Sequence, residues 1–194
     1  IGGKARVDKI QSLKLVYEGS AMGSTIKTEE KRTTDKYAQT TFMDDAPMMG
    51  VIAKGDELYM KQGGNKVPLP PEMQQDMKAA IGIFPEQGIA LSNKAKLTGT
   101  EKVDGKAAYK IEVPGSTVQA TYFYDVESGL KVKEATVINM NGQTQNQEII
   151  YKDYKVVDGI KFPSVRIGSM GPQMIETKLL EAAINVEVSE EDFN

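Results

Sequence analysis

Histidine, cysteine and tryptophan are all absent from this chain of 194 residues. Without histidine or cysteine, the chain cannot form a Ser-His-Asp triad, a Cys-His pair or a histidine-ligated zinc or iron site. An enzyme built from this sequence would have to use carboxylates, lysine, tyrosine, arginine or an external cofactor. The absence of cysteine fits a cytosolic and an oxidising compartment equally well.

Long apolar runs and concentrated positive charge are missing as well. No run reaches the ~18 apolar residues that a membrane-spanning helix needs. The net charge is −3, and the lysines are interleaved with acidic residues, which argues against a nucleic-acid-binding protein. The chain begins Ile-Gly-Gly without a basic or apolar leader, so we interpret it as a mature or trimmed chain whose targeting segment, if any, has been removed.

What the sequence does contain is a long series of short alternating stretches separated by turns. Asp-Gly or Asn-Gly pairs end at Gly105, Gly142 and Gly159, and such pairs favour two-residue hairpin turns. The pattern predicts an antiparallel meander that runs from residue 90 onwards, with a strand over 90–97 and a turn around 168–172.

Two helices are predicted besides the strands. The first is a short amphipathic helix near the start of the chain. The second covers residues 71–84, where Met73, Met77, Ile81 and Phe84 share one face. Pro71 suits the first helical position, and the proline that follows Phe84 is expected to end the helix.

Pro163 stands inside the second strand of the segment YKDYKVVDGIKFPSVRI. Proline cannot donate a hydrogen bond to a neighbouring strand, so it indicates either an edge strand or a bulge where the strand bends. A strongly curved, incompletely closed sheet would supply either place.

Pairs of adjacent acidic residues occur at 29–30, 44–45 and 190–191. Neighbours on a strand point to opposite faces, so such a pair does not by itself form a catalytic dyad. None has the spacing of a calcium-binding loop. We interpret these pairs as solvated turns and edges, and we predict neither a metal site nor a cofactor.

The chain has 10 methionines, concentrated on the early strands and on the helix at 71–84. One interpretation is that they fill the core; the other is that they line an adaptable apolar cavity between the sheet and this helix. The candidate lining residues are Phe42, Met43, Met49, Met60, Met73, Met77, Ile81, Phe84 and Phe123.

Four segments carry a likeness to a known family: TGTEKVDGKAAYKIEV (98–113), TYFYDVESGLKVKEA (121–135), YKDYKVVDGIKFPSVRI (151–167) and the ending INVEVSEEDFN. The resemblance is to the LolA/LolB-type lipoprotein-carrier superfamily. It implies a mainly β (α+β) fold: one domain over 1–194, in which a strongly curved antiparallel meander forms an unclosed β-barrel covered by a lid helix. Similar domains also follow insulinase-type zinc peptidases.

Three functional hypotheses result. The first is a non-catalytic binding module of the bacterial envelope, periplasmic or outer-membrane-associated, whose partner is a lipid, an acyl chain or an acylated protein. The alternative is an accessory C-terminal domain of a longer polypeptide such as an insulinase-type zinc peptidase, in contact with the catalytic part. The third is an enzyme that uses lysine or carboxylates, which a buried carboxylate or lysine in a polar cleft would favour.

Overall fold

Thirteen antiparallel strands form one sheet in the computed structural model, which describes residues 1–140, 142–170 and 173–194. The sheet consists of two meanders, β1–β6 and β7–β13, which are joined by the pairing of β1 with β13. Over the described residues, β6 and β7 lie at opposite edges of the sheet. The predicted mainly-β fold with an unclosed barrel is therefore confirmed.

The strands of the first meander have 4 to 10 residues each, and those of the second have 8 to 15. Their bounds are β1 Ser12–Ala21, β2 Ser24–Thr33, β3 Lys36–Met43, β4 Ala46–Lys54, β5 Glu57–Gln62, β6 Asn65–Pro68, β7 Lys96–Val103, β8 Lys106–Val113, β9 Val118–Asp125, β10 Lys131–Met140, β11 Gln143–Val157, β12 Ile160–Met170 and β13 Gln173–Ile184.

Three α-helices accompany the sheet in the described part of the chain: α1 (Lys4–Val7), α2 (Pro71–Lys78) and α3 (Pro85–Leu91). The first confirms the predicted N-terminal helix. None is long and apolar enough to cross a membrane, as far as the described residues go. We call residues 71–91, which connect the two meanders, the lid.

The single helix predicted over 71–84 is wrong in its second half. Helix α2 ends at Lys78, and Gly82 then adopts a φ of +130°, a conformation that side chains other than glycine rarely accept. Pro85 begins α3 instead of ending α2, in keeping with the preference of proline for the first helical turn. Because α3 continues to Leu91, the strand predicted over 90–97 begins only at Lys96.

The hairpin turns at Gly105 and Gly159 are confirmed. At each of them, the glycine and the aspartate before it have positive φ angles between 48° and 80°, as a type I′ turn requires. Strand β12 runs to Met170, so the turn predicted around 168–172 is wrong for residues 168–170. Residues 141, 171 and 172 of the predicted turns lie outside the described residues.

Strand β12 lies between β11 and β13, so the edge-strand interpretation of Pro163 is wrong for the strand as a whole. The pairing with β13, however, begins only at Val165. The irregularity lies on the neighbouring strand β11, where Asp153 has a φ of +51° and its carbonyl accepts a hydrogen bond from Ser164. Pro163 therefore occupies the stretch of β12 that pairs with β11 alone.

The main core lies where β1 meets the lid. Leu13, Leu15 and Tyr17 of β1 are buried together with Ile83 of the lid and Phe162 of β12. Complete burial of one such side chain contributes roughly 1.5–3 kcal/mol. The lid is therefore held against the middle of the sheet by apolar packing.

The end of the chain covers the outer face of the first meander. A 3₁₀ turn at Glu190–Phe193 places the Phe193 ring, 1% exposed, against Ala38, Ile52 and Tyr59. Glu190 remains in solvent, and its carboxylate pairs with Lys36 and Lys54. The inner face of the same strands is left for the cavity.

Candidate ligand cavity under the lid

A cavity of about 490 Å³ lies between the concave face of the sheet and the lid. This volume falls in the range of small-molecule binding sites, roughly 300–1,000 Å³. The lining residues are Ile1, Leu13, Leu15, Glu30, Arg32, Tyr37, Gln39, Leu58, Met77, Ala80, Ile81, Ile83, Phe84, Pro85, Glu86, Tyr122, Tyr124, Gly129, Lys131, Glu134, Ile149, Tyr151, Tyr154, Lys161, Phe162, Pro163 and Arg166.

The lid lines the cavity with an apolar face. This face consists of Met77, Ala80, Ile81, Ile83 and Phe84. The Phe84 ring stacks on Phe162 of β12, with 6.3 Å between the ring centroids. The lid thus brings the kind of surface that an acyl chain or another apolar group would contact.

The sheet lines the cavity very differently, with a group of ionised side chains that we call the charged cluster. Its members are Glu30, Arg32, Glu86, Lys131, Glu134 and Arg166. All come from strands except Glu86, which is on α3. Strand alternation turns Glu30 inwards, where its side chain is 8% exposed, while Glu29 pairs with Lys27. The prediction that the 29–30 pair is solvated is therefore wrong for Glu30.

Arg166 and Glu30 form the first part of the charged cluster. The Arg166 Nη1 lies 2.5 Å from Glu30 Oε1, and the guanidinium carbon is 3.7 Å from the centroid of the Tyr17 ring. Arg32 Nε lies 3.5 Å from the other carboxylate oxygen. Burial alone would raise the pKa of Glu30, but Arg166 and Arg32 outweigh it and lower this pKa to about 2. Glu30 is therefore an anion at neutral pH.

Lys131 is the centre of the second part. Its Nζ lies 3.0 Å from a carboxylate oxygen of Glu86 and 3.2 Å from one of Glu134, and the Tyr151 hydroxyl donates to Glu134 at 3.0 Å. Burial favours the neutral amine, but Tyr151 and the two carboxylates raise the pKa of Lys131 well above its ordinary value. In return, Lys131 outweighs the effect of burial on Glu86 and lowers its pKa.

Tyrosines fill the space between these charges. Five of the eight tyrosines line the cavity: Tyr37, Tyr122, Tyr124, Tyr151 and Tyr154. Burial raises the pKa of Tyr154 to about 12, and it raises the pKa of Tyr122 further, so both remain neutral phenols. Tyr154 donates to the Lys131 carbonyl at 2.6 Å. The Tyr122 hydroxyl, by contrast, has no hydrogen-bond partner among the described residues.

Polar contacts fasten the lid to both meanders. Arg32 Nη1 donates to the carbonyls of Ala80 at 3.4 Å and Gly82 at 3.1 Å. On the other side, the Asp76 carboxylate of α2 accepts the backbone N–H groups of Thr117 at 2.7 Å and Val118 at 3.0 Å. These contacts add to the apolar packing of Ile83 in the main core.

Three of the nine predicted cavity residues, Met77, Ile81 and Phe84, line this cavity. Their contact with a ligand stays a prediction. The other six lie elsewhere: Phe42, Met43, Met49, Met60, Met73 and Phe123.

The six are displaced for identifiable physical reasons. Phe123 points away from the cavity because its neighbours Tyr122 and Tyr124 point into it, and Lys133 covers its ring. Met73 and Met60 pack into an apolar cluster around Leu58, which is the core-filling role. Similarly, Met43 packs against a small cluster around Ile26. Met49 is 48% exposed, and Lys27 lies over the Phe42 ring.

The cavity does contain the buried carboxylate and lysine that would favour an enzyme. A general acid needs a raised carboxyl pKa and a nucleophilic lysine needs a lowered one. The pKa of Glu30 is lowered and that of Lys131 is raised, so these two residues do not match those two roles. Within the described ranges, no group of three histidine, cysteine or carboxylate side chains could hold a metal ion.

Comparison with known proteins gives a clear result for the fold alone. Neither a family model nor a curated protein matches the sequence. Among solved structures, a LolA superfamily protein from Nitrosomonas europaea has a TM-score of 0.59 at 9% identity, over 98% of this chain and 94% of its own. A domain named for outer membrane lipoprotein sorting, from Vibrio parahaemolyticus, has a TM-score of 0.61 at 14% identity, over 98% and 92%.

A third solved structure, a DUF1329 family protein from Desulfovibrio piger, has a TM-score of 0.60 at 12% identity, over 98% of this chain and 92% of its own. The three likenesses extend over nearly the whole length of each partner. The chain therefore has a LolA/LolB-like fold.

Proposed function

We propose that this chain is a non-catalytic binding module of the bacterial cell envelope. It holds the apolar part of a lipid, an acyl chain or a lipoprotein between the lid and the concave face of the sheet. One observation carries the proposal: the 490 Å³ cavity beneath the apolar face of the lid. The V. parahaemolyticus domain, named for lipoprotein sorting, supports the same direction, and a periplasmic or outer-membrane-associated location belongs to the proposal.

The ion pairs support a binding role over a catalytic one, because their partners lower the pKa values of Glu30 and Glu86 and raise that of Lys131, which favours the ionised form of all three. The single sheet supports our proposal that residues 1–194 form one LolA-like domain. No observation favours the accessory-domain hypothesis with a zinc peptidase, and we do not carry it further.

Uptake of an uncharged acyl probe tests this function. We expect the folded protein to bind a pyrene-labelled fatty-acyl methyl ester with an increase in pyrene monomer fluorescence. The variant Ile81→Asp puts a charge on the apolar face of the lid and should weaken uptake at least tenfold. Leu91→Asp is the matched control on the same lid, since Leu91 is 82% exposed. A folded wild-type protein that takes up no probe would overturn the proposal.

A further inference from the structure

The cavity wall carries more positive than negative charge. Its lining holds the charged cluster, with three cations and three carboxylates, and one further cation, Lys161. Each cation of the cluster lies within 3.5 Å of a carboxylate oxygen, whereas Lys161 makes no ion pair in the part of the chain that the structure describes. The buried Nε of Arg166 also lacks a hydrogen-bond acceptor among the described residues. The lining therefore has one cation in excess and one unused buried donor.

Lys161 lies at the mouth of the cavity. Among the described residues that line the cavity, three are exposed, namely Ile1, Gly129 and Lys161, so the opening lies between them. The backbone N–H of Lys161 donates to the Ile1 carbonyl at 2.6 Å, which holds these two residues side by side. Ile1 brings no negative charge to the mouth.

The surroundings of the mouth have a positive excess as well. Two further cations lie near Lys161: Arg6, whose Nη1 donates to a carbonyl of the preceding hairpin turn at 3.3 Å, and Lys155 on the neighbouring strand β11. The acidic residues of the two turns at the mouth are Asp158 and Glu127. Three cations therefore stand against two carboxylates, and the local charge attracts an anion.

An apolar path leads from Lys161 into the cavity. The next residue, Phe162, is 2% exposed and stacks on Phe84 of the lid, and Ile81 and Met77 continue the apolar face beyond it. An acyl chain that enters beside Lys161 would therefore contact the lid while its head remains at the exposed mouth. A charge that remains in contact with water avoids the large cost of burial.

From these observations we propose that the ligand is an acyl chain with an anionic head, a carboxylate or a phosphate, which Lys161 holds at the mouth of the cavity. The acyl chain lies beneath the apolar face of the lid. This inference rests on the proposed function and adds the chemical class of the head group and the residue that recognises it.

Substitution of Lys161 tests the recognition of the head group. Palmitate, 1-palmitoylglycerol 3-phosphate and the uncharged 1-palmitoylglycerol each displace the pyrene ester at pH 8 and low ionic strength, below their critical micelle concentrations. Lys161→Gln should weaken displacement by the anions about two- to fivefold, which is the contribution of an exposed ion pair, and leave 1-palmitoylglycerol unaffected. The anion that loses more affinity identifies the head group.

Controls separate the charge of Lys161 from its other contributions. Lys161→Arg keeps the charge and should retain the wild-type affinities. Lys102→Gln on β7 removes an exposed lysine that does not line the cavity, and it should change none of the three affinities. Circular dichroism verifies the folding of each variant. In about 0.5 M salt the effect of Lys161→Gln should shrink, because screening weakens exposed ion pairs.

The outcomes distinguish this inference from the proposed function. If a folded Lys161→Gln protein binds all three competitors as the wild type does, or loses affinity for all three equally, the inference is overturned and the proposed function stands. Failure of the wild-type protein to bind the pyrene ester at all overturns the proposed function itself.

Discussion

The apolar face of the lid and the charged cluster line one cavity, and they are built on opposite principles, although the lid supplies one member of the cluster, Glu86. The lid is held by apolar packing and by a few polar contacts with the two meanders. The cluster presents six charged side chains whose partners come from β2, β10, β12 and α3. Packing can tolerate change in small steps, whereas a buried ion pair fails when one partner is lost. The two walls should therefore respond differently to mutation.

The largest effect is expected from breaking the charged cluster. Arg166→Met leaves the Glu30 carboxylate buried without its main partner, and it should lower the free energy of unfolding by about 3–5 kcal/mol. The double variant Glu30→Leu/Arg166→Met removes both charges and should recover most of this loss. Urea denaturation followed by circular dichroism measures each value.

A control for this experiment is Lys178→Met on the neighbouring strand β13, whose side chain is 71% exposed. It should change the free energy of unfolding by no more than about 0.5 kcal/mol. A double variant as unstable as Arg166→Met would contradict the view that the unpaired charge is the cause.

On the lid, the strongest effect should come from Ile83, which is 3% exposed in the main core. Ile83→Ala leaves a cavity and should lower the free energy of unfolding by about 2–5 kcal/mol. Leu91→Ala, at an 82% exposed position of the same lid, should change it by about 0.5 kcal/mol or less. Equal effects at the two positions in urea denaturation would mean that the lid does not pack as described.

Lowering the pH should reveal how much the Glu30 carboxylate of the charged cluster contributes to the free energy of unfolding. The pKa of Glu30 is about 2 in the folded protein, against an ordinary value of 4.5 for a glutamate carboxyl. Its contribution is therefore fully present above pH 4.5 and lost as the pH falls towards 2, with about 2–3 kcal/mol lost by pH 2.5. Wild type should lose this much more stability between pH 6 and pH 2.5 than Glu30→Leu/Arg166→Met. Parallel losses in the two proteins would contradict the assignment.

The smallest effect is expected where the lid is fastened to β9. Asp76→Ala removes the acceptor for the Thr117 and Val118 amides and should cost about 1–2 kcal/mol, confined to the lid. Hydrogen exchange at 71–91 should accelerate while exchange in β1 is unchanged. Asp76→Asn keeps one acceptor oxygen and should be intermediate. The control is Glu72→Ala at an exposed position of the same helix. If this variant accelerated hydrogen exchange at 71–91 as much as Asp76→Ala does, the Asp76 hydrogen bonds would not be what holds the lid.

The sequence was sufficient for most strands and turns because their signals are local; the strand over 90–97 and the turn around 168–172 are the exceptions. Alternation and Asp-Gly pairs identified the meander, and Pro71 identified the start of α2. The break after Lys78 was missed because the apolar spacing continues through Gly82 to Phe84. A glycine in that place is the one local signal that could have indicated it.

The charged cluster was not predicted because its partners are distant in the chain. Glu30 and Arg166 are 136 positions apart, and no local pattern relates them. Strand alternation does predict that Glu29 and Glu30 face opposite sides of β2. It likewise predicts that Tyr122 and Phe123 face opposite sides of β9. Which side is concave depends on the curvature of the whole sheet, so only Met77 and Phe84 among the eight aromatic and methionine candidates line the cavity.

The pairing of β1 with β13 has a consequence for the route by which the cavity forms. Each meander consists of hairpins between consecutive strands, whose closure in the unfolded chain costs little entropy. The pairing of Leu13 with Ile184 closes nearly the entire chain, and such long-range contacts are slow to form. The pairing of β1 with β13 should therefore be the slow step of refolding. Glu30 and Arg166 belong to different meanders, so they should come into contact only after this pairing has formed.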